Sequence, residues 1–149
     1  MEDNDFSISI SAKISASEAI KKLSNVTEWW GVTFTGSSEK QADKFVVKMS
    51  GDSFFNFTVT ELIPDKRVVW LVTDCNMPWY SNKKGWANTK LIFDLDENNS
   101  VTELNFKHEG LTPNNECYKD CERGWTHWIK LSLFSYLTNG LGIFDQTCQ

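Results

Sequence analysis

The sequence predicts an α+β fold, with about seven short antiparallel strands in meander order and one long C-terminal helix. Three observations carry this. Segments of strand character punctuated by Gly, Ser and Asp fill most of the chain from Phe6 to His108. Only two short helical pieces interrupt them, which excludes parallel βαβ winding. Finally, Trp125, Trp128, Ile129, Leu133, Tyr136 and Leu137 recur at helical spacing, with Leu131 and Phe134 widening the stripe.

Each element has a local reason. Phe6, Ile8, Ile10, Ala12 and Ile14 alternate with Ser7, Ser9, Ser11 and Lys13, a period of two that marks a half-buried first strand. Ser15-Ala16-Ser17-Glu18 then fits a capping box, and Ala16, Ala19, Ile20 and Leu23 share one face of a short helix. A second turn over Asn25 to Trp30 delivers adjacent tryptophans, Trp29 and Trp30, of which one is expected to face inward. Strands follow at Val32 to Thr35, Lys44 to Met49 and Phe55 to Leu62. Val68 to Val72 is too uniformly apolar to leave one face in water. Asn88 to Leu95 and Val101 to His108 complete the set, Leu91, Phe93 and Leu95 sharing one face and Leu104, Phe106 and His108 another. Thr112 reads as the cap of the last helix with Pro113 in its first turn, and Asn139-Gly140 as its stop.

Composition bounds the function. The 149 residues are 40% hydrophobic and 13% aromatic, with 7 Trp and 10 Phe, enough either to fill a core or to wall a pocket for a flat apolar ligand. The whole chain, 1–149, is expected to form a single domain. A net charge of −5 without a Lys/Arg cluster argues against nucleic acid. No apolar run is long enough for a membrane span, and Met1 to Asp5 is acidic, unlike a signal peptide, so a cytoplasmic location is expected. Of the four cysteines, Cys117 and Cys121 would share a helical face, but Cys-x3-Cys with a distant His127 is a poor zinc pattern. Reduced thiols, no metal and no cofactor are expected. The stretch Asp74 to Ala87, with Trp79, Tyr80 and Trp86, is longer than a hairpin needs. It reads as a loop pinned to the core by one Trp or as a lid over a cavity mouth.

Four motifs in order resemble the helix-grip fold of the START-like, or SRPBCC, superfamily, and within it the activator of heat shock protein 90 ATPase homologues. These are Ile14-Ser15-Ala16 to Leu23-Ser24 with Trp29-Trp30, Glu61-Leu62-Ile63-Pro64-Asp65-Lys66-Arg67-Val68-Val69-Trp70, Thr89 to Phe93 with Thr102 to Leu111, and Gly124-Trp125 through Gly140. Lys21 stands where the family often has an aromatic, and Asp74 to Ala87 is longer than its usual connection. The resemblance implies a curved sheet wrapped around the helix, with a small hydrophobic molecule, lipid-like or polycyclic, bound between them. It leaves a homodimer and a chaperone partner open, the chaperone not favoured because no appended domain is present to dock one.

The residues expected to wall such a cavity are Trp30, Phe57, Trp70, Phe93, Phe106, His108, Trp125 and Ile129, with Trp79 and Trp86 at its mouth. Plain core packing is the competing reading for every apolar one of these. His108 is the one inward titratable group, to be satisfied by a neighbour, to anchor a ligand, or to act as a base. The last role would belong to a cyclase or dehydratase. No nucleophile elbow, phosphate loop or second inward acid or base accompanies it, so an enzyme is not expected.

Overall fold

The computed structural model describes residues 4–144. Cys148 and the start of the acidic Met1 to Asp5 segment lie outside them. A seven-stranded, wholly antiparallel sheet runs in the order β1-β7-β6-β5-β4-β3-β2. Its strands are β1 (Phe6–Ala12), β2 (Thr33–Gly36), β3 (Lys44–Lys48), β4 (Phe54–Ile63), β5 (Arg67–Asn76), β6 (Lys90–Asn98) and β7 (Val101–Glu109). Helix α1 (Ala16–Leu23) and a 3₁₀ turn (Val26–Glu28) carry the chain from one sheet edge to the other.

Alternation decides which face each strand buries. Along β7, Thr102, Leu104, Phe106 and His108 are buried while Glu103 and Asn105 are exposed. Register then assembles inward rows across strands: Phe6 opposite His108, His108 opposite Leu91, Leu91 opposite Trp70, and Trp70 opposite Val59. Register shifts between Asn56 and Phe57 and between Val59 and Glu61 interrupt the β4–β5 ladder, as bulges do where a sheet bends. The uniformly apolar run in β5 is buried on both faces at Val68, Val69 and Trp70, as its composition requires.

α1 begins where its sequence says it should. The Ser15 hydroxyl accepts the Glu18 N–H at 3.1 Å, and Glu97, from the far end of β6, accepts the Ala16 N–H at 2.9 Å. Trp29 and Trp30 both face inward rather than one of them. The 3₁₀ turn ends at Glu28, and the two indoles stack at 5.8 Å with planes 13° apart, Trp29 Nε1–H donating to Leu23 O.

The C-terminal helix, 118–139, starts later than Thr112-Pro113. Asn115 Oδ1 accepts both the backbone N–H and the hydroxyl of Thr112, closing a turn that postpones the helix to Tyr118. Its middle, Thr126–Leu133, is wound as a wider π-helix, and Gly140, in the left-handed region, ends it. Trp125, Ile129, Ser132, Leu133, Tyr136 and Leu137 are buried against the sheet, whereas Leu131 (50% exposed) and Phe134 face outward. Both were expected on the apolar stripe; in the structure the buried arc runs through Ile129, Ser132, Leu133, Tyr136 and Leu137 and leaves them outside it. Beyond the helix the chain folds back: Ser132 Oγ donates to Trp29 O and accepts the Ile143 N–H.

Candidate functional site

Most of the space between sheet and helix is filled. Phe45, Phe57, Trp70, Phe93 and Phe106 form a continuous aromatic layer, with neighbouring centroids 4.9–5.9 Å apart. Trp125 reaches down from the helix to contact Phe106 at 4.7 Å and Trp30 at 5.2 Å. What remains open is a cleft of about 390 Å³ at one end of this layer. Phe55 of β4, with Trp30 and Met49 from the segments flanking β2 and β3, forms one side of it. Met77, Trp79, Tyr80 and Trp86 from the loop after β5, and Asp120, Cys121, Gly124, Trp125 and Trp128 from the helix, complete it.

Of the residues expected to wall a cavity, Trp30, Trp79, Trp86 and Trp125 border this cleft. Phe57, Trp70, Phe93, Phe106, His108 and Ile129 instead lie behind it, all 0–1% exposed and packed against one another, because large rings already occupy the volume they were expected to enclose. The sequence reading missed Met49, Phe55, Met77, Tyr80, Asp120, Cys121, Gly124 and Trp128. A signal was available for the helix residues, since 120, 121, 124, 125 and 128 are spaced as one helical face.

His108 is held from both sides. Trp125 Nε1–H donates to its Nδ1 at 3.1 Å, which leaves the proton on Nε2, 2.9 Å from Thr89 Oγ1; that hydroxyl donates onward to Trp86 O at 2.6 Å. Burial pushes the imidazole down to about 3, so it is neutral at ordinary pH. The chain His108, Thr89, Trp86 therefore ties β7, the loop and the helix together behind the cleft.

The loop is both pinned and open. Trp86, at its far end, is 4% exposed and sits between Phe55 (4.7 Å) and Trp125 (5.5 Å, stacked). Trp79, at its tip, is 49% exposed at the cleft mouth. Two acids, Glu116 just before the helix and Asp120 in its first turn, hold the tip. Glu116 accepts the N–H groups of Ser81 (3.1 Å) and Asn82 (3.0 Å), and those bonds hold its carboxyl below the usual range. Tyr80 O–H donates to Asp120 at 2.7 Å; burial, then this bond, raises the phenol above its ordinary value. Gly31 lets the Trp128 ring approach, for a Cβ there would lie 2.6 Å from it. Asp120 is the one acidic side chain bordering the cleft among the described residues, and it pairs with Arg123.

A curved antiparallel sheet gripping a C-terminal helix, with an aromatic cleft at one end, defines a helix-grip protein of the START-like kind. Residues 18–138 match the family described as Activator of Hsp90 ATPase homolog 1-like protein, and the chain belongs to that family. It is similar to the Aha1 dimer from Colwellia psychrerythraea, solved in solution, at 25% identity and a TM-score of 0.70, covering 93% of this chain and 98% of that one. It also shares its fold with DynU16, a protein in the dynemicin biosynthetic locus (14% identity, TM-score 0.67, 95% of this chain but 49% of that one). CalU16 from Micromonospora echinospora has the same fold at 13% identity and a TM-score of 0.63, with 89% and 73% covered. No curated protein matches the chain. Among the described residues no helix is long and apolar enough to cross a membrane, and no group of three or more His, Cys, Asp or Glu converges to hold a metal.

Proposed function

We propose that the protein binds a small, flat, hydrophobic molecule, polycyclic or lipid-like, in the cleft between the loop after β5 and the C-terminal helix, as a carrier or sensor. One observation carries the reading: five of the seven tryptophans border a single opening of about 390 Å³, a volume within the range of small-molecule sites. Aromatic faces offer a planar ligand stacking and burial at little cost in side-chain entropy. No Lys, Arg or His borders the cleft among the described residues, so a fatty-acid carboxylate would enter without a countercharge and beside Asp120. The preferred ligand is therefore uncharged or cationic. Within this reading His108 has no catalytic part, since both nitrogens are engaged and the ring is sealed from the cleft.

Titration of the intrinsic tryptophan fluorescence with flavonoids, sterols, polyketides and fatty acids tests the reading. Saturable quenching by flat neutral compounds, absent for fatty acids, is expected. A response to none of them, together with a ligand-free mass in native mass spectrometry of the freshly purified protein, would refute it.

A second reading, a protein-interaction surface, is favoured by a separate observation. Leu131 and Phe134 on the outer helix face, with Leu141 and Phe144 beyond it, are exposed apolar side chains, and the similar Colwellia protein is a dimer. Light scattering would report a homodimer directly, and Leu131→Asp would dissociate one formed through this face. Stoichiometric recovery of a chaperone from lysate, with empty lipid extracts, would favour the chaperone-regulating role instead.

A further inference from the structure

Cys117 occupies the N-cap position of the C-terminal helix and Cys121 lies one turn along, so both sulfurs project from the same side toward the loop after β5. They touch: the Cys121 thiol donates to Cys117 Sγ at 2.8 Å, and Trp86 Nε1–H donates to Cys121 Sγ at 3.3 Å. Their accessibilities differ. Cys117 is buried, whereas Cys121 is half-buried and borders the cleft.

We infer that Cys117 and Cys121 form a redox-active dithiol that a small-molecule disulfide, such as oxidised glutathione, converts reversibly to an intramolecular disulfide, resetting the Trp86 wall of the cleft. The sulfurs are already in contact, and Cα atoms four residues apart at a helix start lie about 6 Å apart, inside the range that disulfides span; Cys117, at the non-helical N-cap position, is free to bring its Cβ the remaining distance of about 1–2 Å toward Cys121. Chemistry favours the pair as well. A sulfur at a helix N-terminus that accepts bonds from a thiol and lies near an indole N–H is stabilised as thiolate, and Cys117 is lowered accordingly, first by the Cys121 bond. Cys75 shows the contrast, buried and pushed up by that burial.

The exchange balances in two steps. The pair rests as a monothiolate, Cys117 having given its proton to solvent; the Cys121 proton crosses the contact to Cys117, and the Cys121 thiolate, the one at the cleft, attacks one sulfur of oxidised glutathione, giving a mixed disulfide and one glutathione thiolate. That thiolate takes the proton from Cys117, whose sulfur then attacks Cys121 Sγ and expels the second glutathione. Counting the proton that Cys117 first gave to solvent, the protein loses two hydrogens, and the oxidant becomes one glutathione thiol and one glutathione thiolate. Once both sulfurs are bonded, the acceptor of the Trp86 indole changes, and Trp86 packs on Trp125, Phe55 and the edge of His108.

The experiment uses the full chain with Cys148→Ser, treated with oxidised glutathione in mildly alkaline buffer without denaturant. Intact mass should fall by two hydrogens, peptide mapping should place the bond between Cys117 and Cys121, and dithiothreitol should reverse it. The Trp86 indole N–H resonance should shift on oxidation and return on reduction. Cys117→Ser should instead stop at a stable glutathione adduct on Cys121. A native protein that stays reduced, stops at the adduct with both cysteines present, forms a bond to Cys75, or oxidises only in urea overturns the inference. A Cys117–Cys121 disulfide that leaves the Trp86 resonance in place overturns its link to the cleft.

Discussion

Gly124 tests the cleft with the least disturbance to anything else. It lies inside the helical segment Tyr118–Trp125 and borders the cleft, and a Cβ built there meets nothing within 4 Å. Gly→Ala in a helix interior is worth about 0.8–1 kcal/mol through backbone entropy, and with open space around the methyl no steric penalty offsets it. At about 2.1 cal/mol/K per residue, the unfolding entropy of a chain this size is near 0.3 kcal/mol/K, so Gly124→Ala should raise Tm by about 3 °C. Gly124→Phe would project a benzyl group into the same opening. Differential scanning calorimetry reads the first variant, and the fluorescence titration reads both. The expected pattern is a stabilised Ala variant that still binds the best flat neutral ligand, and a folded Phe variant in which that binding is lost. If Gly124→Ala lowers Tm, the position is not open; if Gly124→Phe binds as well as wild type, the cleft is not the site.

Three further outcomes follow from the geometry. Trp125→Ala removes a side chain packed against Trp30, Trp86 and Phe106 and unpairs His108 Nδ1, so it should lose about 3–5 kcal/mol in urea unfolding, and a loss below 1 would show its surroundings to be loosely packed. His108 is held near 3, below its unfolded value of 6.5, so the unfolded chain binds the extra proton between those values. Stability contributed by the neutral ring is complete above pH 6.5 and lost as pH falls toward 3, at up to about 1.4 kcal/mol per pH unit; in His108→Leu, itself destabilised, that part of the pH slope should vanish. Glu116 has its carboxyl lowered by the Ser81 and Asn82 N–H bonds, so the loop tip is held above the unfolded pKa and released as pH falls through the folded one. Hydrogen exchange at residues 81 and 82, corrected for intrinsic rate, should quicken on acidification in wild type and be fast at all pH in Glu116→Ala.

Periodicity made the sheet and its faces legible. Strand alternation placed Leu104, Phe106 and His108 on the buried side, and Ser15 as the cap of α1, because each depends on near neighbours alone. Where a distant or competing partner decides, the sequence was silent. Thr112-Pro113 has the form of a helix start, yet Asn115 captures Thr112 in a turn first. Leu131 and Phe134 are apolar but lie outside the buried arc. The site was harder because inward-facing and cleft-lining are different properties. Alternation identifies Phe57 and Phe93 as inward, but only three-dimensional packing shows that Trp70 and Phe45 close the space in front of them. His108 was correctly placed inside; its two partners, Thr89 and Trp125, come from other elements and could not be paired with it in advance.

The pairing of β1 with β7 has a consequence for how the protein is made. Ser9 sits opposite Asn105, 96 residues later, so β1 leaves the ribosome before the six other strands of its sheet and has no partner until nearly all of them have followed it. At synthesis rates of about 5–20 residues per second, β1 waits on the order of 5–20 s with its Phe6, Ile8 and Ile10 side uncovered. Such a long loop closure slows the final folding step, since its entropy is lost before the contact is gained. The serines that alternate with those residues keep the waiting segment half polar, and theirs is the same face that the edge strand turns to solvent in the finished sheet.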